Sequence, residues 1–269
     1  MGDAIVKDSF SAGTKEYCDV LIVGAGIAGV SAALAAARNG QNVILLEREY
    51  GLGGMATLGL IAIYLPLCDG MGRQVSFGIS EELLKLSIKY GADGPLPSAW
   101  LENRSLEERK AQRYRVQFNP NMFALLLEQL LKEAGVRILY GALATDVTVS
   151  DRKITEVMIE TKSGKSSICP AAVIDCSGDA DICWRAGVPT EVYAKGNGLA
   201  SWYYYQSGGR IGLRMFGLAD VTPDQTNEMK TQEKVKEISQ LRFSGVDGFE
   251  LSLAWQTAHE KMMQDIQEH

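Results

Sequence analysis

The stretch Cys18-Asp-Val-Leu-Ile-Val-Gly-Ala-Gly-Ile-Ala-Gly-Val-Ser-Ala-Ala-Leu-Ala-Ala-Ala-Arg-Asn-Gly-Gln-Asn-Val-Ile-Leu-Leu-Glu47 reads as a strand, a glycine turn, a helix and a second strand ending on an acid. Val20–Val23 is an apolar run of strand length. Gly24, Gly26 and Gly29 follow at G-x-G-x-x-G spacing. The first glycine permits a tight turn, the second leaves no side chain to hold a diphosphate off the backbone, and the third lets the helix pack close to the strand. The alanine-rich helix predicted over Ile27–Asn39 stops at Gly40. Its first turn offers unpaired N–H groups and the positive end of the helix dipole to an anion. Val43–Leu46 forms the next strand, and Glu47 at its end is placed to accept hydrogen bonds from a ribose diol. Together these features predict an adenine-dinucleotide site. Taken alone, this unit does not separate NAD from FAD.

A second glycine cluster, Arg48-Glu-Tyr-Gly-Leu-Gly-Gly-Met-Ala-Thr57, comes directly after the acid, where the first unit would set it beside a bound diphosphate. Gly53 and Gly54 suit a loop whose backbone lies against a ligand, with the Thr57 hydroxyl available. Leu58–Leu67 is apolar and reads as buried; Tyr64 within it and Arg73 in the flexible loop Asp69–Arg73 are catalytic candidates. A helix is predicted over Ser80–Tyr90 with Ser80 as its cap, and the charged run Leu101–Gln112 reads as an exposed helix or linker. Arg113–Phe118 alternates like a strand. Asn119-Pro120 then opens a helix whose apolar face is Met122, Phe123, Leu126, Leu127, Leu130 and Leu131, with Gly135 at its end.

Val136–Tyr140 returns as a strand. Ala144–Val149, Ile154–Thr161 and Ser166–Cys169 follow as a three-stranded β-meander. Val173–Cys176 reads as a further, separate strand leading into the turn Ser177-Gly178-Asp179 and a short helix over Ala180–Ala186. Beyond Gly187 two strands are predicted, Ser201–Gln206 and Ile211–Leu218, around Gly208-Gly209. They carry the aromatic block Trp202–Tyr205, of which Tyr203, Tyr204 and Tyr205 are further catalytic candidates. From Thr226 onward the pattern is polar and helical, with a break at Gly245–Gly248. The fold class is therefore α/β: a Rossmann-like nucleotide-binding domain with a central parallel sheet, a three-stranded meander and an added α+β region. Residues 17–190 form the first domain, with 58–116 inserted into it. Residues 191–269 begin a substrate or cap domain, read as incomplete because the pattern stops inside a helix.

Bulk properties narrow the function classes. The chain has 269 residues, 46% hydrophobic and 22% charged, which is ordinary for a globular protein. A formal net charge of -6 argues against nucleic acid or an anionic membrane as the main partner. No segment reaches the roughly 18 uninterrupted apolar residues of a membrane span, and the polar start Met1–Tyr17 lacks the pattern of a secretory signal. The five cysteines make no C-x-x-C pair, so they read as free thiols in a reducing cytoplasm. With only His259 and His269 present, no histidine base is available in the nucleotide-binding half, and no metal site is expected.

The front position of the glycine motif, the Gly53-Gly54 loop and the meander before a Ser-Gly-Asp turn favour FAD over NAD. In these features the chain resembles the FAD-dependent oxidoreductase family, within the two-dinucleotide-binding-domain flavoproteins of glutathione-reductase-like fold. The motifs that carry the resemblance are Leu52–Thr57 and Ile174–Asp179, and it covers roughly residues 17–190. It implies that Gly24, Ala25, Gly26, Ile27, Ala28 and Gly29 hold the pyrophosphate and Glu47 the ribose. Arg48 would lie near the adenine, which Thr145, Asp146 and Val147 would meet. Gly54, Met55, Ala56 and Thr57 would approach the diphosphate and flavin, and Ser177, Gly178 and Asp179 would close over the adenosine end. The activity implied is flavin-mediated hydride transfer from or to a small organic substrate. Two departures stand out. No second glycine motif returns near the C-terminus, which reads as a truncated product or a subunit completed by a partner chain; a homo-oligomer or a partner subunit is the assembly expected. No cysteine pair follows the acid, which excludes a dithiol mechanism. An electron-relay subunit, a tRNA-modifying flavoprotein and an NAD(H) dehydrogenase are the alternatives.

Overall fold

The apolar run after Tyr17 becomes the middle of a sheet. The computed structural model describes residues 13–216 and 239–268, in two compact units that divide between Pro189 and Thr190. The expectations placed on Met1–Ala12, Gly217–Leu218, Thr226–Ile238 and His269 lie outside the described residues. In chain order the first unit runs β1 (Lys15–Val23), α1 (Ile27–Arg38), β2 (Val43–Glu47), a 3-10 turn at Gly54–Ala56, β3 (Ile63–Tyr64), α2 (Ile79–Ser87), α3 (Ser98–Leu101) and α4 (Leu106–Ala111). It continues through β4 (Val116–Gln117), α5 (Pro120–Glu133), β5 (Arg137–Tyr140), β6 (Leu143–Ser150), β7 (Lys153–Thr161), β8 (Gly164–Asp175) and α6 (Asp181–Arg185).

Six of these strands form one sheet in the order β5-β2-β1-β8-β7-β6. The first four are parallel to one another, β7 pairs antiparallel with β8, and β6 pairs antiparallel with β7. This is the α/β architecture expected, with the meander continuous with the parallel sheet. The apolar run predicts a strand from Val20; β1 begins earlier, at Lys15, because β8 offers a partner from Ser167 onward. That pairing recruits polar residues which have no strand signal of their own.

β8 is the main correction to the sequence reading. Ser166–Cys169 and Val173–Cys176, expected as two strands, are parts of one strand of 12 residues. Its first part pairs with β7 as far as Val157↔Ile168, and its length pairs with β1 from Lys15↔Ser167 to Val23↔Asp175. Pro170 lies beyond the last β7 pair, so its missing N–H breaks no bond on that side.

Both faces of the sheet are covered. Leu21 and Val23 of β1 and Ile44 and Leu46 of β2 pack with Ala142, Ala144, Val157, Ile159 and Ile168 on the meander side. Ile22 and Leu45 point the other way by strand alternation and are also fully buried. On the helical side α1 buries Gly29, Val30, Ala33 and Leu34, and α5 buries Phe123, Leu126, Leu127 and Leu131. Each fully buried Leu or Ile contributes about 1.5–3 kcal/mol. α5 starts as predicted: Asn119 Oδ1 accepts the Met122 N–H at 3.0 Å, with Pro120 at the first helical position. Met122, expected on its apolar face, is exposed.

The segment between β2 and α5 differs most from its reading. α2 starts behind Gly78, which has φ +69°, so Ser80 lies inside the helix and caps nothing. The charged run holds the exposed helix expected, α4, opened by a reciprocal Ser105–Glu108 capping box, with the short α3 just before it. Trp100, at the edge of that run, is buried and stacked on Tyr114 with ring centroids 5.1 Å apart. Leu58 and Leu65 are exposed, whereas Ala62 and Leu67 are buried, so the apolar run there is only half interior. The loop Asp69–Arg73 is braced by Asp69 Oδ1, which accepts the N–H groups of Met71 and Arg73.

In the second unit β9 (Ser201–Ser207) and β10 (Arg210–Phe216) form a hairpin around Gly208-Gly209, both with positive φ. A long helix, α7 (Gly248–Glu268), follows. Leu199, Phe243 and Ala258 make a small apolar cluster. Asp265 of α7 accepts from the Tyr203 hydroxyl at 2.5 Å and from both the Nε and Nη2 of Arg214, tying the helix to the hairpin.

Candidate dinucleotide site

The three glycines after β1 have separate duties, and the backbone makes each one visible. Gly24 has φ +94°, and a Cβ there would stand 2.3 Å from the Cys176 carbonyl oxygen of the neighbouring chain segment. A Cβ on Gly29 would meet the Gly24 oxygen at 1.8 Å, so helix and turn touch directly. A Cβ on Gly26 meets nothing within 4 Å. Two glycines are thus required by the protein's own packing, and the middle one borders open space.

That space has the electrostatics of an anion site. The first donation into α1 is from the Val30 N–H to the Gly26 oxygen at 2.9 Å. It leaves the Ala28 and Gly29 N–H groups without a partner among the described residues, at the positive end of a 12-residue helix. Gly26 offers no capping side chain to fill the role.

The acid at the end of β2 closes the other side. Glu47 is buried, with Oε2 accepting the Ala25 N–H at 2.8 Å and Oε1 accepting the Glu49 N–H at 2.9 Å. Each oxygen keeps a second lone pair for a ligand hydroxyl. Arg48, next to it, is exposed and 3.8 Å from the Glu49 carboxylate.

The second glycine cluster is stitched onto the first. The Gly53 N–H donates to Ala25 O at 2.9 Å, and Gly26 and Gly53 form a parallel bridge. Gly54, with φ +54°, lies so close that a Cβ there would be 3.0 Å from Gly26 Cα. Met55 is exposed and Ala56 half-buried. Thr57 is turned inward: its hydroxyl donates to Leu52 O at 2.5 Å, so it braces the loop from within.

The Ser177 turn lies against the glycine turn from the β8 side, through the same Cys176 carbonyl. Its organiser is Asp175, to which the sequence reading gave no role. Asp175 Oδ1 accepts the N–H and hydroxyl of Ser177, and Oδ2 accepts the N–H groups of Ile182 at 3.0 Å and Cys183 at 2.9 Å. Ser177 Oγ accepts the Asp181 N–H at 2.9 Å. Burial works against the Asp175 charge, but the Ser177 hydroxyl and the backbone N–H groups of Cys183 and Ser177 outweigh it and hold the carboxyl below the ordinary aspartate value. The opening N–H groups of α6 are therefore spent on its own strand end, whereas those of α1 are open. Gly178, with φ +100° and open space around it, and the exposed Asp179 complete the turn. The signal for Asp175 was its place as the last residue of a strand just before a helix start, where a carboxylate caps.

Thr145 sits at an irregularity in β6, where the register with β7 shifts between Ala144 and Asp146. Its carbonyl accepts from Arg185 Nε at 3.0 Å, and Asp146 Oδ1 accepts the Val147 N–H at 2.8 Å. Of the catalytic candidates, Tyr64 donates its hydroxyl to Ser80 O at 2.7 Å, and burial pushes its phenol up. Arg73 is exposed in its loop. Tyr203 is buried against Asp265 in the second unit, while Tyr204 and Tyr205 are exposed. Among the described residues no group of His, Cys, Asp and Glu could hold a metal ion, and no helix is long and apolar enough to cross a membrane.

A family model described as FAD dependent oxidoreductase matches residues 19–267. The chain is 28% identical over 184 residues to vinyl phenol reductase of Lactiplantibacillus plantarum, covering 60% of this chain and 37% of that protein. It is 45% identical over 83 residues to 4-oxocyclohex-2-ene-1-carboxylate 5-dehydrogenase of Sinomonas cyclohexanicum, covering 29% and 14%. The chain spans well under half the length of the curated relatives it matches. Among solved structures, a geranylgeranyl bacteriochlorophyll reductase-like protein of Thermoplasma acidophilum superposes with a TM-score of 0.50 at 20% identity, over 68% of this chain and 45% of that one. A likeness at that identity concerns the fold alone.

Proposed function

Because the chain belongs to the FAD dependent oxidoreductase family, we propose that it holds FAD across the Gly24–Gly29 turn and serves oxidation or reduction of a small organic substrate. The observation that carries this reading is the open space at Gly26, bordered by unpaired α1 N–H groups and the Glu47 carboxylate. The residues fit the cofactor: the cradle is one a single Cβ would fill, its donors suit a diphosphate, and its carboxylate suits a ribose.

Bound flavin supplies reversible two-electron chemistry, and the protein supplies binding, orientation and electrostatics. Ala28 and Gly29 would donate to phosphate oxygens, and Glu47 would accept from a ribose hydroxyl. The Gly53-Gly54 backbone would lie alongside, with Leu127 of α5 packed behind it. Thr57 would act by fixing that loop. Tyr64 keeps its proton, donating it in a hydrogen bond to Ser80 O, and has no acid–base role in this reading. The net charge of -6 supports a small molecule over nucleic acid as the partner. The free state of all five cysteines suits a reducing cytoplasm.

The test is the visible absorption spectrum of the purified, untagged chain, with the released cofactor identified. A flavin spectrum and recovered FAD are expected. A colourless, folded protein that takes up no added FAD would overturn the reading.

A further inference from the structure

The first unit contains one connection that the dinucleotide motif does not require. Arg185, the last residue of α6, reaches the Thr145 carbonyl with its Nε at 3.0 Å, across 40 positions of sequence. Thr145 is where β6 slips register against β7, and its own hydroxyl leans on Met158 O at 3.4 Å. A residue at a bulge is released from regular ladder pairing, and its direction is set by whatever else holds it. Here that partner is a guanidinium, whose bond to a carbonyl is charge-assisted and directional.

Arg185 is itself placed by the turn at the end of β8. The residue that caps the start of its helix is Ala180, a non-glycine residue at φ +58°. That strained start is held because Ser177 Oγ and the Asp175 carboxylate take the N–H groups of Asp181, Ile182 and Cys183. A five-residue helix would not persist without such anchoring. The chain of contacts is therefore continuous: Cys176 carbonyl against Gly24, Asp175 and Ser177 onto α6, and Arg185 onto Thr145.

We propose that Arg185 is a positioning residue for adenine recognition, fixing through the Thr145 carbonyl the backbone of Thr145–Val147, which in the FAD reading would face the base. The inference rests on the FAD reading above and deepens it. By it, α6 links the turn beside the diphosphate to the strand beside the adenine, and the two ends of the adenosine half are set together. Arg185 need not touch the cofactor to do so.

The experiment compares two dinucleotides that differ only at the base, FAD and flavin hypoxanthine dinucleotide. Affinities are read from flavin fluorescence on titration into cofactor-stripped protein. Replacing the adenine amino group by an oxo group reverses the hydrogen-bonding sense of that edge. A backbone that reads the edge should therefore prefer FAD by about tenfold, the equivalent of one or two hydrogen bonds. In Arg185→Ala the preference should shrink to about twofold or less, because the Thr145–Val147 backbone is no longer held. Arg185→Lys should behave like the alanine variant, since an ammonium keeps the charge but lacks the fixed Nε donor. It also provides a folded comparison should Arg185→Ala fold poorly, as judged by circular dichroism.

A merely structural arginine would weaken both dinucleotides equally and leave the ratio intact. An unchanged ratio in both variants overturns this inference alone, as does a wild-type protein that binds both dinucleotides equally. A wild-type protein that takes up neither overturns the FAD reading itself.

Discussion

Gly54 rests on Gly26: a Cβ added to the second glycine cluster would come within 3.0 Å of the Cα at the centre of the first. With the Gly53 N–H bonded to Ala25 O, two stretches separated by the whole of α1 and β2 become one surface. The cradle proposed for the diphosphate is therefore a double loop, and its two halves should respond differently to substitution.

Gly26→Val should leave the fold intact and remove FAD binding, because its side chain enters only open space. Gly29→Val should instead cost the fold, since its Cβ would stand 1.8 Å from the Gly24 oxygen. Circular dichroism and thermal melting separate the two cases, and flavin absorbance reads the binding. Normal FAD uptake by Gly26→Val would show that the turn does not hold the phosphates.

Glu47→Ala should weaken FAD and also destabilise the protein. The carboxylate accepts the Ala25 and Glu49 N–H groups, and leaving a buried donor unpaired costs about 1–3 kcal/mol. The loss should show in the urea midpoint even without cofactor. A midpoint equal to wild type would mean that water replaces the carboxylate at no cost.

Asp175→Asn tests the carboxylate that organises α6. Its folded pKa lies below the ordinary aspartate value, so its contribution is present above the unfolded pKa and lost as pH falls through the folded one. The stability gap between wild type and variant should be full at neutral pH and narrow as the solution is acidified below about pH 4. Urea unfolding at a series of pH values measures it, and a gap that widens in acid would contradict the assignment.

Asp265→Ala addresses the second unit. Burial, then the hydrogen bond and charge of Asp265, push the Tyr203 phenol up to about 12. Removing Asp265 should bring the phenol part of the way back, since burial persists, and ultraviolet titration would follow it. It should also loosen α7 from the hairpin, because Arg214 loses its carboxylate partner. An unchanged titration would place Tyr203 outside the reach of Asp265.

How far the sequence disclosed this molecule depended on where its information lay. The Gly24–Glu47 unit was legible because strand, turn, helix and acid each leave a local pattern, and the Asn119-Pro120 start of α5 was legible for the same reason. Even the division of labour among Gly24, Gly26 and Gly29 agrees with what surrounds each of them. β8 was misread because composition dips at Pro170, while the pairing that carries the strand through that point comes from β1. Trp100 drew no reading because it stands just before the charged run, and its stacking partner, Tyr114, lies beyond the charges. Ser80 looked like a cap because helix starts favour serine, yet the cap position falls earlier, at Gly78 with its positive φ. Asp175 and Arg185 were given no role because, the Ser177 hydroxyl apart, the contacts that define them are to backbone atoms, which no side-chain motif announces.

The continuity of β8 has a genetic consequence. Strand side chains alternate between faces, so losing one residue turns every later side chain over. In most sheets such a deletion disturbs one pair of strands and can be absorbed in a loop. Here a deletion near Pro170 leaves the antiparallel pairing from Gly164 to Ile168 in place and inverts the stretch that delivers Asp175 to its turn. No loop between the meander and the parallel sheet exists to take up the slack. Natural length variation should therefore be rare between Gly164 and Asp175 and common between Gly59 and Arg113, where short helices and turns alternate.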